Sequence, residues 1–417
     1  MTKTVRFNSG TSYWLHLLVP FAIAVAACLP AILVLTHQIH LTPLAECVAF
    51  GVAIVAAAFM LGWIGEAAEL DLSGGLSVSI LALVAILPEY VVSIYFSYAA
   101  GKNPSLLEYS TANLTGANRI VQGFGWPMVA LIAFFAVRRF KARKLAVGHA
   151  GRKFGIQLDS DSRSDLGFLL IASALMTIVA FTGQMHLLIG VALVLVFGTY
   201  MWRVSGSERE EPELEGTAAY VGALPKIARR IFIIAFLAVA AGVIFVCAEP
   251  FGTSLIEVGS SFGIDKYLLV QWLSPLASEA PEFTLAFIFA ARGKQAAGLA
   301  ILLSSKLNQW TLLAGSMPIA YVIGGGSASL PMTGRGTEEI WLTTTQTLLG
   351  IALLLGLRWG FRASMVMFGL FIASAWPNPT FRNELAWVHL AVALVMFGVY
   401  RTKIAETLKA PFDRPKH

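Results

Sequence analysis

The sequence predicts an all-α polytopic membrane protein of about twelve transmembrane helices, arranged as two inverted-topology repeats. Three observations carry this prediction. Of the 417 residues, 57% are apolar and only 13% charged, against about 25% charged in soluble domains. Apolar runs of roughly 17–25 residues, the length a helix needs to cross a bilayer, recur along the whole chain. Two of these runs are broken by an acidic residue beside proline, at Pro88–Glu89 in the first half and Pro281–Glu282 in the second.

The runs lie at 13–36, 42–64, 74–98, 108–137, 166–182, 185–203, 229–257, 266–291, 296–322, 341–357, 361–376 and 386–400. Lys3 and Arg6 precede the first, and the stretch from Val25 to Cys28 resembles a lipoprotein cleavage box. Apolar sequence nevertheless continues to Leu35, too long for a cleaved leader, so this run is read as a retained helix. Trp14, Trp126, Trp202 and Trp376 near run ends fit the aromatic belts of a bilayer.

The net charge of +6 does not indicate a nucleic-acid partner, because the basic residues are segregated by side. Alternate loops and the two tails hold 24 Lys and Arg on one face and 4 on the other, with Arg119 and Lys306 inside runs. This positive-inside bias places both termini in the cytoplasm, in a plasma (inner) membrane, and requires an even number of spans. It also orients the two broken helices oppositely, which is the inverted repeat used by many alternating-access carriers.

The predicted organisation is an N-terminal tail and peripheral helix (1–41), a first repeat (42–203), an acidic cytoplasmic linker (204–228), a second repeat (229–376), and a peripheral helix with cytoplasmic tail (377–417). The linker gathers Glu208, Glu210, Glu211, Glu213 and Glu215. It reads as a solvated connector or, more sharply, as a weak cation-attracting segment. Loop 138–165 begins with Arg138, Arg139, Lys141, Arg143 and Lys144, which suits contact with anionic membrane lipids. Cys28, Cys47 and Cys247 lie in apolar runs without paired spacing, indicating neither a disulfide frame nor a metal site. No nucleotide-binding loop or nucleophile–base arrangement is visible, so an enzyme is not expected and no cofactor is implied.

The candidate chemistry lies in two cores. The first holds Leu87-Pro88-Glu89, then Asn113-Leu-Thr-Gly116-Ala-Asn118 followed by Arg119 and Gln122. The second holds Ser278-Glu279-Ala-Pro281-Glu282, then Ser304-Ser305-Lys306 with Asn308 and Gln309. Ionisable groups inside a span are costly and mark function by default, and proline beside them frees carbonyls that must line a cavity. Glu89 and Glu282 are therefore candidate ion-binding or proton-carrying groups and candidate metal ligands; the bland alternative is a pair of buried carboxylates that tie helices together. Glu279 has no counterpart in the first repeat and either lines the same cavity or does not. Asn113, Asn118, Ser278, Ser304 and Ser305 are neutral ligands or interhelical polar contacts. Arg119 and Lys306 are internal counterions, unless they snorkel to an interface.

Together these motifs resemble the paired repeats of the calcium/cation antiporter superfamily, which includes sodium/calcium and proton/calcium exchangers. Leu87-Pro88-Glu89 matches the acidic end of the first-repeat motif, Asn113 to Asn118 its second helix, Ala280-Pro281-Glu282 the second acidic break, and Ser304-Ser305 the second-helix pair. The resemblance covers about a quarter of the chain. It implies a secondary active antiporter that moves calcium or another cation against protons by alternating access, with inorganic cations as partners. Ala85 and Ile86 replace the hydroxyls that sodium sites of this family would use, which disfavours the alternative of a sodium-coupled exchanger. Arg119 and Lys306 would compete with a divalent ion for anionic oxygens. They leave open a third reading, a non-transporting scaffold with neutralised carboxylates.

Overall fold

In the computed structural model every one of the twelve runs contains helix. Described here are residues 10–68, 70–71, 87–143, 155–205, 214, 216–263, 265–376 and 378–413. The lead-in to the first acidic break (72–86, including Ala85 and Ile86), loop residues 144–154 and the acidic run 206–213 with Glu215 lie outside the described residues. Among the described residues seven helices are long and apolar enough to cross a membrane. Their outer faces confirm the solvent they suit: Leu188, Trp202 and Phe245 are 82%, 79% and 74% exposed, whereas Arg119, Lys306 and Glu339 are completely buried. This reverses the distribution of a water-soluble protein.

The chain divides into two compact units, and each collects elements from both halves of the sequence. The first takes residues 1–92 and 204–266. It contains α1 (Gly10–Leu35), α2 (Pro43–Ala68), α8 (Gly216–Gly222) and α9 (Lys226–Phe262). Alanines at 53, 56, 57 and 58 give α2 a surface that lets helices approach closely, and both α1 and α9 pack on it. Phe21 fills the junction, its ring centroid 5.2 Å from Trp63 and 4.4 Å from Phe236. With 37 residues, α9 is roughly 55 Å long at the usual helical rise. That exceeds the ~30 Å hydrocarbon core, so the helix tilts or runs beyond it. At the start of α9, Arg229 clasps Asp71 through Nε at 2.6 Å and Nη2 at 2.9 Å, while its Nη1 donates to the Gly222 carbonyl at 2.7 Å.

The second unit takes residues 93–203 and 267–415. α3 (Leu87–Lys102) begins in the first unit and continues here from Ser93. α4 (Leu107–Ile120) and α5 (Trp126–Arg143) form one long element, joined through a π-helical turn at Val121–Gly125. α6 (Ser162–Thr182) and α7 (Leu187–Ser205) follow, then α10 (Lys266–Ser278) and α11 (Ala280–Ala291). α12 (Gln295–Asn308) and α13 (Ala314–Ile323) are again joined by a π-helical turn, Gln309–Leu313. α14 (Gly334–Leu354), α15 (Phe361–Ala373), α16 (Pro379–Val399) and α17 (Arg401–Lys409) complete the unit.

Two features were not expected from the sequence. Four three-residue strands pair antiparallel at loop ends, β1 (Gly155–Gln157) with β4 (Arg358–Gly360) and β2 (Gln184–His186) with β3 (Ser329–Pro331). The last long helix, α16, packs on α14 and buries Arg382, Leu385, Ala386 and His389.

Candidate functional site

The site grows from the interruption between α10 and α11. Pro275 and Pro281 have no N–H, so the carbonyls of Gln271 and Ala277 lose their helical donors. Only Glu279 falls between the two helices, with φ −88° and ψ −1°. The turn stays tight, since Glu279 N donates to Pro275 O at 2.9 Å and Phe283 N to Glu279 O at 3.0 Å. A single-residue break thus presents Glu279 at the hinge and Glu282 in the first turn of α11.

Around Glu279 the second repeat supplies donors. Gln309 Nε2 donates to its Oε1 at 2.8 Å and Ser305 Oγ to its Oε2 at 3.1 Å. Glu282 lies within electrostatic reach of Glu279, and its buried Oε2 meets no donor among the described residues. Two carboxylates within electrostatic reach of each other repel, and a proton or a cation relieves the repulsion. Ser304 faces away from its neighbour Ser305 and meets Tyr200 of α7, hydroxyl to hydroxyl, at 3.2 Å. Ser278 turns its hydroxyl back onto Pro275 O at 3.3 Å.

The first repeat contributes through α4. Asn113 Nδ2 donates to Ser93 Oγ at 2.6 Å, and Asn118 Nδ2 to Leu114 O at 2.9 Å. The Oδ1 atoms of both are buried without a donor among the described residues, as are Oε1 of Gln122, Gln271 and Gln309 and Oγ of Ser274. Gly116 brings α4 against α10: a Cβ there would collide with the Gln271 carbonyl, one of those that proline leaves free. Glu89 stands one helical turn before Ser93 on α3; its side chain lies outside the described residues.

The two basic residues take different partners. Arg119 Nη1 donates to Glu339 Oε2 at 2.6 Å, and Nη2 donates to the carbonyl of Ser374 at 3.1 Å and also meets its hydroxyl. Arg382 of α16 is ion-paired to the other Glu339 oxygen, and the Trp272 ring lies 5.0 Å from the Arg119 guanidinium. Arg119 is therefore neutralised by Glu339 rather than by the carboxylates of the helix break. Lys306 Nζ donates to the Asn118 carbonyl at 3.1 Å and lies 5.1 Å from the Trp310 ring centroid. Both basic residues are fully buried, which excludes snorkelling.

Glu339, Arg382, Ser374 and Tyr200 were not among the residues singled out from sequence. Glu339 precedes the apolar run at 341–357 and was placed outside the span; the N-cap at Thr333, whose side chain accepts from Gly336 N, is the local signal that α14 starts earlier. The two repeats also correspond more closely than their motifs suggested. Arg119 and Gln122 in one, Lys306 and Gln309 in the other, are spaced alike and lie within one residue of the same places at the π-helical turns, a deformation that often marks functional sites. Among the described residues no group of three His, Cys, Asp or Glu side chains gathers to hold a metal.

A membrane-embedded helical core with one proline-broken helix, paired π-helical turns and buried carboxylates defines the class, a polytopic carrier-type protein. The chain belongs to the sodium/calcium exchanger protein family, whose profile matches it over residues 43–206 and 232–401. It is similar to a solved H+/Ca2+ exchanger, CAX, at 32% identity over 94% of this chain and 96% of that one, with a TM-score of 0.86. Native YfkE shares the fold at 18% identity over 89% of this chain and 99% of that one, with a TM-score of 0.59. A selenium-substituted structure of YfkE, titled a Ca2+/H+ antiporter, gives 14% identity over 92% and 100% of the two chains, with a TM-score of 0.57. No protein of curated function matches the chain. The family consists of transporters that exchange cations, not enzymes.

Proposed function

We propose that this chain is a secondary active antiporter that exchanges calcium for protons across the plasma membrane by alternating access, with both termini in the cytoplasm. The observation that carries this reading is the Glu279–Glu282 pair at the break between α10 and α11, flanked by buried amide oxygens that lack donors. Calcium takes six to eight oxygen ligands, roughly, and accepts carboxylate, carbonyl and amide oxygens alike. Protons reach the same carboxylates when the ion leaves, so one species moves against the other and no ATP is needed. Glu89, the counterpart of Glu282 in the first repeat, is the further carboxylate of this exchange. The similarity to a protein titled an H+/Ca2+ exchanger, over nearly the full length of both chains, supports protons as the coupling ion.

The test is purified protein in liposomes that enclose a pH-sensitive dye. Under an imposed proton gradient, calcium is expected to dissipate the gradient in wild-type vesicles and to have no effect with Glu89→Gln or Glu282→Gln. A gradient untouched by calcium, sodium and potassium in both orientations overturns the proton-coupled reading.

A further inference from the structure

Lys306 is placed where a cation is expensive. It is fully buried, and its ammonium has one hydrogen-bond acceptor, the Asn118 backbone carbonyl at 3.1 Å. Among the described residues no carboxylate lies within ion-pair distance of it. Its counterpart Arg119, just before the other π-helical turn, has Glu339 at 2.6 Å. The asymmetry has a consequence. Arg119 shares the Glu339 carboxylate with Arg382, whereas Lys306 has no anionic partner among the described residues and follows Ser305, which donates to Glu279. The Lys306 ammonium meets a main-chain carbonyl and an aromatic face at 5.1 Å, and the nearby residues Asn118 and Gln309, the latter opening the π-helical turn, each carry a buried side-chain oxygen without a donor among the described residues.

We infer that Lys306 is a tethered monovalent cation, built into the core at a position that a small mobile cation would otherwise occupy, and that it makes this chain indifferent to sodium. The inference deepens the exchange reading of the same core. An ammonium and a sodium ion both carry one positive charge and both satisfy carbonyl and amide oxygens. Only the lysine is covalently fixed, so it holds the position without contributing a transported charge. Removing the ammonium takes its cation from the Asn118 carbonyl, which also accepts from the Val121 backbone N–H, and a free sodium ion takes the vacated place in the low-dielectric interior. Lys306 is thus a specificity-determining residue.

The experiment measures equilibrium binding of radioactive sodium to purified full-length protein, alongside calcium uptake into liposomes. It uses wild type, Lys306→Met, Lys306→Gln and Lys306→Arg. Wild type and Lys306→Arg are expected to show no saturable sodium binding. Lys306→Met and Lys306→Gln are expected to gain saturable binding, with bound sodium at least about tenfold above the wild-type background, and sodium then alters their calcium uptake. Lys306→Gln keeps a donor for the Asn118 carbonyl and covers the case in which the apolar variant fails to fold. Sodium binding to wild type as tight as to the variants, or monodisperse variants without any gain, overturns the inference. If wild type takes up no calcium while the variants still gain sodium binding, the exchange reading falls and the tethered-cation inference stands.

Discussion

At the scale of single residues, two buried charge systems do different work. Glu339 is shared by Arg119 and Arg382, and removing its charge leaves two guanidinium groups uncompensated in the interior. Glu339→Gln is therefore expected to destabilise the protein by about 3–5 kcal/mol, read as a large fall in melting temperature in detergent; an unchanged melting curve contradicts that role. Gln309 acts through Glu279 by holding its Oε1 at 2.8 Å. Gln309→Leu is expected to weaken calcium affinity on the order of 10–100-fold, the usual effect of losing a ligand-orienting partner, while leaving the melting temperature close to wild type. Sequence alone exposed Glu279, Glu282, Arg119 and Lys306, because charged residues inside apolar runs stand out. It could not show which carboxylate Arg119 uses, since the partner lies 220 positions away and precedes an apolar run instead of interrupting one.

At the scale of elements, the close approach of α4 and α10 rests on Gly116, against which the Gln271 backbone lies too near for any side chain. Gly116→Val is expected to cost about 3 kcal/mol or more, at or beyond the upper end of ordinary overpacking, and to abolish exchange by moving Asn113 and Asn118. Cross-linking of cysteines introduced on the two helices measures the displacement. The Asp71–Arg229 clasp titrates. Hydrogen bonds from Arg229, opposed by partial burial and reinforced by charge attraction, hold the Asp71 carboxyl below its ordinary range. Its folded pKa is depressed, so its contribution to stability is fully present above the ordinary value of about 4 and is lost as pH falls through the lower, folded value. The difference in melting temperature between wild type and Asp71→Asn is expected to be constant from about pH 8 to pH 5 and to shrink below about pH 4. The proline-linked break and the positions of the runs were legible because proline and charge interrupt hydrophobicity. The π-helical turns were not, since no residue type demands them; they became visible only as matching deformations in both repeats.

At the scale of the whole molecule, the positive-inside bias sets a topology that is directly measurable. Cysteines introduced near Lys3 and near Arg414 are expected to react with a membrane-impermeant reagent only after the cytoplasmic face is opened, and one near Lys102 before it. The reverse pattern contradicts the orientation. Helix number was readable from hydropathy, while the grouping of the helices was not. α1, α2 and α9 form one unit and the remaining long helices another, a division made by packing between segments remote in sequence.

The central claim is that calcium and protons share the carboxylates of the core. The most direct measurement is calorimetric titration of the purified protein with calcium in buffers of different ionisation enthalpy, which counts the protons released per ion bound. The account predicts proton release with wild type, and loss of both binding and release with Glu282→Gln. Calcium binding of equal heat in every buffer, with no proton released, contradicts it.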